Sequence, residues 1–103
     1  MKNIILKGFI IVPLSELTIV KSELDAHLCL TRAETGCLTF KVNQDPLNPC
    51  RFDVYEEFVD EAAFQAHQAR VKSSRWGEIT VNVERFYTVT ESTVTGMTAT
   101  GII

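Results

Sequence analysis

The chain opens on a dense apolar run at residues 3–13, in which both alternating sets are hydrophobic: Ile4, Leu6, Ile10 and Val12 on one side, Ile5, Phe9 and Ile11 on the other. A β-branched run of this kind, stopped by Pro13, predicts a strand covered on both faces. Ser15 then stands as an N-cap, with Glu16 placed where a negative charge suits the helix dipole. Leu17, Val20, Leu24, His27, Leu28 and Thr31 recur at helical spacing within a stripe about 100° wide. A helix is therefore predicted over 16–34, with Gly36 marking its end.

The hydrophobic period then changes to two. Leu38, Phe40 and Val42 alternate with Cys37, Thr39 and Lys41, which predicts a second strand over 37–44. Turn formers from Gln44 to Cys50 close a hairpin onto a third strand at 51–59. Asp60 caps a second helix, whose inner face carries Ala63, Phe64, His67, Val71 and Ser74 and which Gly77 breaks. Over residues 78–90, Ile79, Val81 and Val83 alternate with Thr80, Asn82 and Glu84 as a fourth strand.

The resulting order, β-α-β-β-α-β, predicts an α+β ferredoxin-like fold with two helices on one face of a four-stranded antiparallel sheet. The other face would carry the second apolar set of strand one with Tyr55 and Val59, beside polar Asp53 and Glu57. A patch of that kind predicts a two-fold homodimer through the sheets. Residues 1–90 form the expected domain. The Thr- and Gly-rich segment 91–103 is expected as a loose tail or as an arm laid on the partner.

Composition narrows the function classes. At 103 residues there is room for one domain. The net charge is −3, and the scattered Lys and Arg give no concentrated basic face for nucleic acid. Three cysteines without CxxC spacing argue against a structural zinc site and read as reduced thiols. Lys7 interrupts the first apolar run, no small-residue cleavage site follows, and no segment reaches the roughly 20 apolar residues of a membrane span. A cytoplasmic protein with no membrane partner is expected.

Three polar groups fall on faces that otherwise read as core. His27 lies in the stripe of helix one and His67 on the inner face of helix two beside Phe64. Glu56 points with Phe52, Val54 and Phe58. A buried carboxylate needs a partner that a histidine can supply, and a histidine pKa near 6.5 suits proton removal at neutral pH. The same groups read equally as hydrogen-bonded core residues fixing helix register. A metal site would need three ligands on a locally rigid frame, which the spacing does not provide. Trp76 either closes the core edge or walls a pocket for a flat aromatic ligand. Phe52, Phe40 and Phe64 are candidate wall residues, although Phe40 could face the core instead. Arg70 is the arginine nearest this group, while Arg32 and Arg85 read as solvated or salt-bridged surface side chains. No phosphate loop or dinucleotide fingerprint is present.

Residues 31–40, TRAETGCLTF, resemble the helix-to-strand junction of antibiotic-biosynthesis monooxygenase domains. Residues 51–67, RFDVYEEFVDEAAFQAH, resemble their third strand and second helix, with the Tyr55-Glu56 pair and the helical His67 in place. HQAR at 67–70 and SRWG at 74–77 resemble the quinol monooxygenase branch, and the likeness spans residues 3–90. It implies dimeric αβ-barrel subunits, each with a pocket between helices and sheet, that oxidise quinols or polycyclic phenols with O₂. Flavin, haem and metal are not required. In haem-degrading relatives the order of the Trp and His is reversed relative to His67 and Trp76, which argues against haem.

On this reading His67, helped by Glu56, removes a phenolic proton. His27 binds the developing oxyanion and Trp76 holds the ring plane, with the two histidines interchangeable in role. The rivals are an oxygen-independent isomerase on a small carbonyl substrate and a non-catalytic dimeric module that sequesters an aromatic ligand.

Overall fold

The computed structural model describes residues 2–91 and the strand at 94–97. Five strands, β1 (Ile4–Ile11), β2 (Cys37–Gln44), β3 (Arg51–Phe58), β4 (Glu84–Glu91) and β5 (Val94–Met97), form one antiparallel sheet in the order β2-β3-β1-β4-β5. The helices are α1 (Leu17–Arg32), α2 (Glu61–Lys72) and a short α3 (Arg75–Ile79). Strands β1 to β4 and the two longer helices make the expected ferredoxin-like α+β fold. No helix among the described residues is long and apolar enough to cross a membrane.

β1 is central because it can pair on both sides: Leu6 lies opposite Glu56 of β3 and Val89 of β4, and Ile10 opposite Phe52 and Arg85. These side chains share the sheet face that meets Val20 of α1 and Phe64 and Val71 of α2 in the core. At Gly8 the sheet closes unusually tightly. A Cβ there would lie 2.0 Å from the Phe86 carbonyl oxygen and 2.6 Å from Tyr87 Cα, so a side chain would push β1 and β4 apart. Asp60 caps α2 as expected, its carboxylate accepting from the Ala63 N–H at 2.8 Å.

The structure corrects several element boundaries. Ser15 does not cap α1: a 3₁₀ turn at Leu14–Glu16 intervenes, Glu16 occupies the cap without a side-chain bond, and the Glu16 N–H donates to the Pro13 carbonyl at 2.8 Å. Leu38 does not share a face with Phe40. A register shift between Cys37 and Thr39 inserts an extra residue, leaving Leu38 52% exposed and turning Cys37 toward the core.

Gly77 does not break α2. That helix ends at Lys72, and Ser74 caps α3 by accepting from the Gly77 N–H at 3.2 Å. Gly77 is instead the residue that lets α3 fold against the end of α2, because a Cβ would lie 2.3 Å from the Val71 carbonyl oxygen. Residues 78–83 are consequently not strand, and β4 begins at Glu84. Val81 is exposed, while Thr80 turns inward and donates its hydroxyl to the Trp76 carbonyl at 2.6 Å.

Of the segment 91–103, Val94–Met97 folds back on β4 as β5, with Val89 opposite Met97 and Glu91 opposite Val94. Positions 92–93 and 98–103, and with them any arm onto a partner, lie outside the described residues. The sheet face away from the helices is mixed in character. Phe9 and Phe86 stack at 5.0 Å, the Arg51 guanidinium lies 3.8 Å over the Phe9 ring, and Asn3 donates to Glu57 at 2.7 Å.

Candidate active site

His27 sits on the face of α1 that carries Val20 and Thr31, and is buried with them. His67 sits on the face of α2 that carries Phe64 and Val71. Glu56 rises from β3 between Phe40 of β2 and Leu6 of β1. Both period rules therefore aim these polar groups into the same layer, 3.6 residues per turn in the helices and two in the strand. Glu56 is 0% exposed and His67 1% exposed.

The His67 ring is held from both ends. Nδ1 lies 2.7 Å from Glu34 Oε1, and Nε2 lies 3.5 Å from Glu56 Oε1. Glu34 Oε2 also accepts from Arg70 Nε at 2.5 Å, and Arg70 Nη2 donates to Thr31 Oγ1 at 3.0 Å. A carboxylate engaged by an arginine can only accept, so Nδ1 carries the hydrogen and the lone pair of the neutral ring sits on Nε2. Burial lowers the His67 pKa from its ordinary value, and the neighbouring Glu34 charge opposes that shift without cancelling it.

Glu56 is driven the other way. Burial holds its pKa well above the usual carboxylate range, and the Glu34 charge adds to the effect. Burial thus favours the protonated form of the carboxyl and the uncharged form of the adjacent imidazole. At 3.5 Å the Nε2–Oε1 contact is too long for a made hydrogen bond, and neither Glu56 oxygen has a hydrogen-bond partner among the described residues. A buried polar pair left unbonded in this way costs stability and marks a site where something else is served.

Aromatic rings enclose the pair. His27 stacks on Trp76 with centroids 4.5 Å apart and planes 4° from parallel, and meets Phe40 edge-on at 5.3 Å. His67 lies 4.9 Å from Phe58, 6.0 Å from Phe40 and 6.3 Å from His27, and Phe64 packs behind Phe58 at 5.7 Å. Phe40 also belongs to a surface hollow of about 350 Å³ with Arg32, Cys37, Leu38, Thr39 and Lys41, where Arg32 donates to its carbonyl, while its buried ring meets the histidines.

The structure thus brings together His27, His67, Glu56, Trp76, Phe40, Phe64 and Arg70. Phe52 stands apart: it is four residues before Glu56, about 13 Å along the strand, and pairs with Gln44 and Ile10. Glu34 and Thr31 join this group through His67 and Arg70, and neither was a site candidate from the sequence. Glu34 follows His27 by seven residues, which returns to within about 20° of the same helical face. That spacing is the signal that could have found it. No group of three acidic, His or Cys side chains among the described residues is arranged to hold a metal ion.

Residues 20–78 match the family model for antibiotic biosynthesis monooxygenase. No curated protein matches the chain. Among solved structures, a candidate antibiotic biosynthesis monooxygenase from Nitrosomonas europaea superposes with a TM-score of 0.75 at 18% identity, covering 96% of this chain and 94% of that one. A second such candidate, from Deinococcus radiodurans, gives 0.70 at 22% identity over 97% of this chain and 98% of its own. A conserved protein of unknown function from Bacteroides thetaiotaomicron gives 0.70 at 16% identity, covering 87% and 97%. At these identities the structural likeness speaks for the fold.

Proposed function

This chain belongs to the antibiotic biosynthesis monooxygenase family, and from that premise we propose that it oxidises quinol-like or polycyclic phenolic substrates with O₂, the substrate supplying the electrons. The observation that carries the proposal is a buried imidazole oriented by one carboxylate and facing a second buried carboxyl, inside a shell of aromatic rings. That is a carboxyl pushed up and an imidazole pushed down by the same burial, each disfavoured in its charged form, in a layer shaped for flat apolar rings.

His67 Nε2 takes a phenolic proton, and the Glu34 carboxylate stabilises the imidazolium that forms. The electron-rich phenolate reduces O₂ and a carbon–oxygen bond forms at the ring. Glu56 gives its proton to the distal oxygen, which leaves as water, and is reloaded from His67 beside it. For a hydroquinone, one oxygen atom enters the ring, the other leaves as water, and the product is a hydroxyquinone. His27 faces the developing oxyanion, and Trp76 stacked on His27 fixes that ring. Phe40 is the side chain that moves to admit substrate from the surface hollow. The mixed sheet face away from the helices is the surface through which two copies pair.

The test is oxygen uptake by metal-free protein with a panel of hydroquinones and anthrone-like phenols, measured against autoxidation and against His67→Ala. Uptake that falls at least a hundredfold in the variant supports the reading. Turnover that persists under nitrogen, or that survives His67→Ala within twofold, defeats it.

A further inference from the structure

Arg85 is not the solvated surface arginine that its sequence context suggests. It occupies the helix-facing side of β4, opposite Ile10 of the core. Nη1 donates to the Val83 carbonyl at 3.0 Å and Nη2 to Thr80 Oγ1 at 2.9 Å, and Thr80 is itself wholly buried. These contacts fix the position of the guanidinium without neutralising it. Among the described residues no carboxylate lies within ion-pair distance of it, and its Nε is buried without a hydrogen-bond partner. A half-buried cation with a buried, unspent donor is left incomplete until an anion joins it.

The neighbouring group on the same face is Tyr87, two residues along β4 and partly buried against the core. Burial raises the pKa of its hydroxyl, Arg85 opposes that shift, and Glu56 reinforces it. The register gives the geometry: Tyr87 lies opposite Gly8, whose same-face neighbours on β1, Ile10 and Leu6, lie opposite Arg85 and Glu56 respectively. Arg85 is also tied to the Trp76 segment, because Thr80 donates to the Trp76 carbonyl while accepting from Arg85.

We propose that Arg85 and Tyr87 form an anion-binding end of the same site, so that the ligand is a hydroxyaromatic bearing a carboxylate. The proposal deepens the reading above and rests on it for the hydroxyaromatic part. The free Nε presents one donor, and the planar guanidinium suits a carboxylate better than a point charge would. Tyr87 donates a second hydrogen bond to the same anion. The phenolic end of the ring then lies toward Glu56 and His67.

Binding is read under nitrogen, by quenching of the chain's single tryptophan, Trp76, so that the measurement does not depend on turnover. The probes are 2,5-dihydroxybenzoate and its methyl ester, which share the ring and differ in the anion. The wild type should bind the acid at least tenfold more tightly than the ester. Arg85→Gln should bring the two within twofold, with the acid losing at least fivefold more affinity than the ester. Arg85→Lys keeps the charge without the fork, and should lose part of the preference; it decides the matter if Arg85→Gln does not fold. Equal binding of acid and ester by the wild type overturns the proposal. So does an equal loss of both in the variants, which would make Arg85 a pin for α3 alone. Absence of oxygen uptake would defeat the monooxygenase reading and leave this result standing.

Discussion

Replacing Glu56 by Gln isolates the cost of burying an acid with no hydrogen-bond partner. The folded pKa of Glu56 is raised by burial and by Glu34, whereas in the unfolded chain it titrates near 4.3. Below about pH 4 the carboxyl is protonated in both states and contributes no pH dependence. Between about 4.3 and the raised folded value, the unfolded chain releases a proton that the native state retains. Stability therefore falls as pH rises through that window, by about 1.4 kcal/mol per pH unit for one proton. Gln is nearly isosteric and has nothing to ionise, so Glu56→Gln lacks this slope.

His67 titrates alike in both unfolded chains, and burial, Glu34 and Arg70, which set its folded shift, are the same in both, so its contribution cancels in the difference. Urea denaturation of wild type and variant at half-unit steps from pH 5 to 7, at one protein concentration, reads the quantity directly. The stability gap should widen in favour of the variant by about 1.4 kcal/mol per pH unit until the raised folded pKa is passed, and level off beyond it. Parallel profiles would show that Glu56 is ionised in the fold, and the acid role assigned to it would go with them.

Glu34→Gln removes the charge that holds the His67 pKa up, so the His67 titration midpoint followed by NMR should move further below the ordinary histidine value. The acid limb of the rate profile should follow it, and a midpoint that stays put or rises would refute the assigned contact. Because the folded His67 pKa is depressed, stability is lost as pH drops below about 6.5, and the variant should lose more of it there. Gly8→Ala places a Cβ 2.0 Å from the Phe86 carbonyl oxygen, where backbone must move, so a loss of about 2 kcal/mol or more is expected in chemical denaturation. A loss below about 0.5 kcal/mol would mean that β1 and β4 do not close there as described.

The parts of the fold legible in the sequence are those whose pattern and end signal agree. β2 shows period two from Cys37 to Gln44 and ends in turn residues, and Asp60 announces α2 with an acceptor that its backbone uses. The stretch 78–83 misled because Ile79, Val81 and Val83 imitate strand alternation, while Ser74, three residues before the Gly77 N–H it accepts from, starts a new helix. The bulge at Leu38 leaves no trace in an alternating pattern.

For the site, His27, His67 and Glu56 were legible as polar residues on apolar faces. Glu34 was harder because it lies past the end of α1, where a helical face no longer strictly applies. Arg85 shares the odd positions of Ile79, Val81 and Val83, but an arginine reads as a surface group until its partner is known, and that partner is Ile10 of the core.

The contacts that orient His67 join residues far apart in the chain: Glu34 reaches His67 across 33 positions and Arg70 across 36. The acid arrives just after one helix and the base within the next, with a whole hairpin between them. Neither helix alone, nor the β2–β3 hairpin alone, contains an oriented base. Loop closure over that distance precedes any gain from the contact, so the site comes into being with the docking of the two helices. The His67 ring is thus a native-state probe: its shifted titration should vanish whenever α2 loosens from the end of α1, even where the local helices persist.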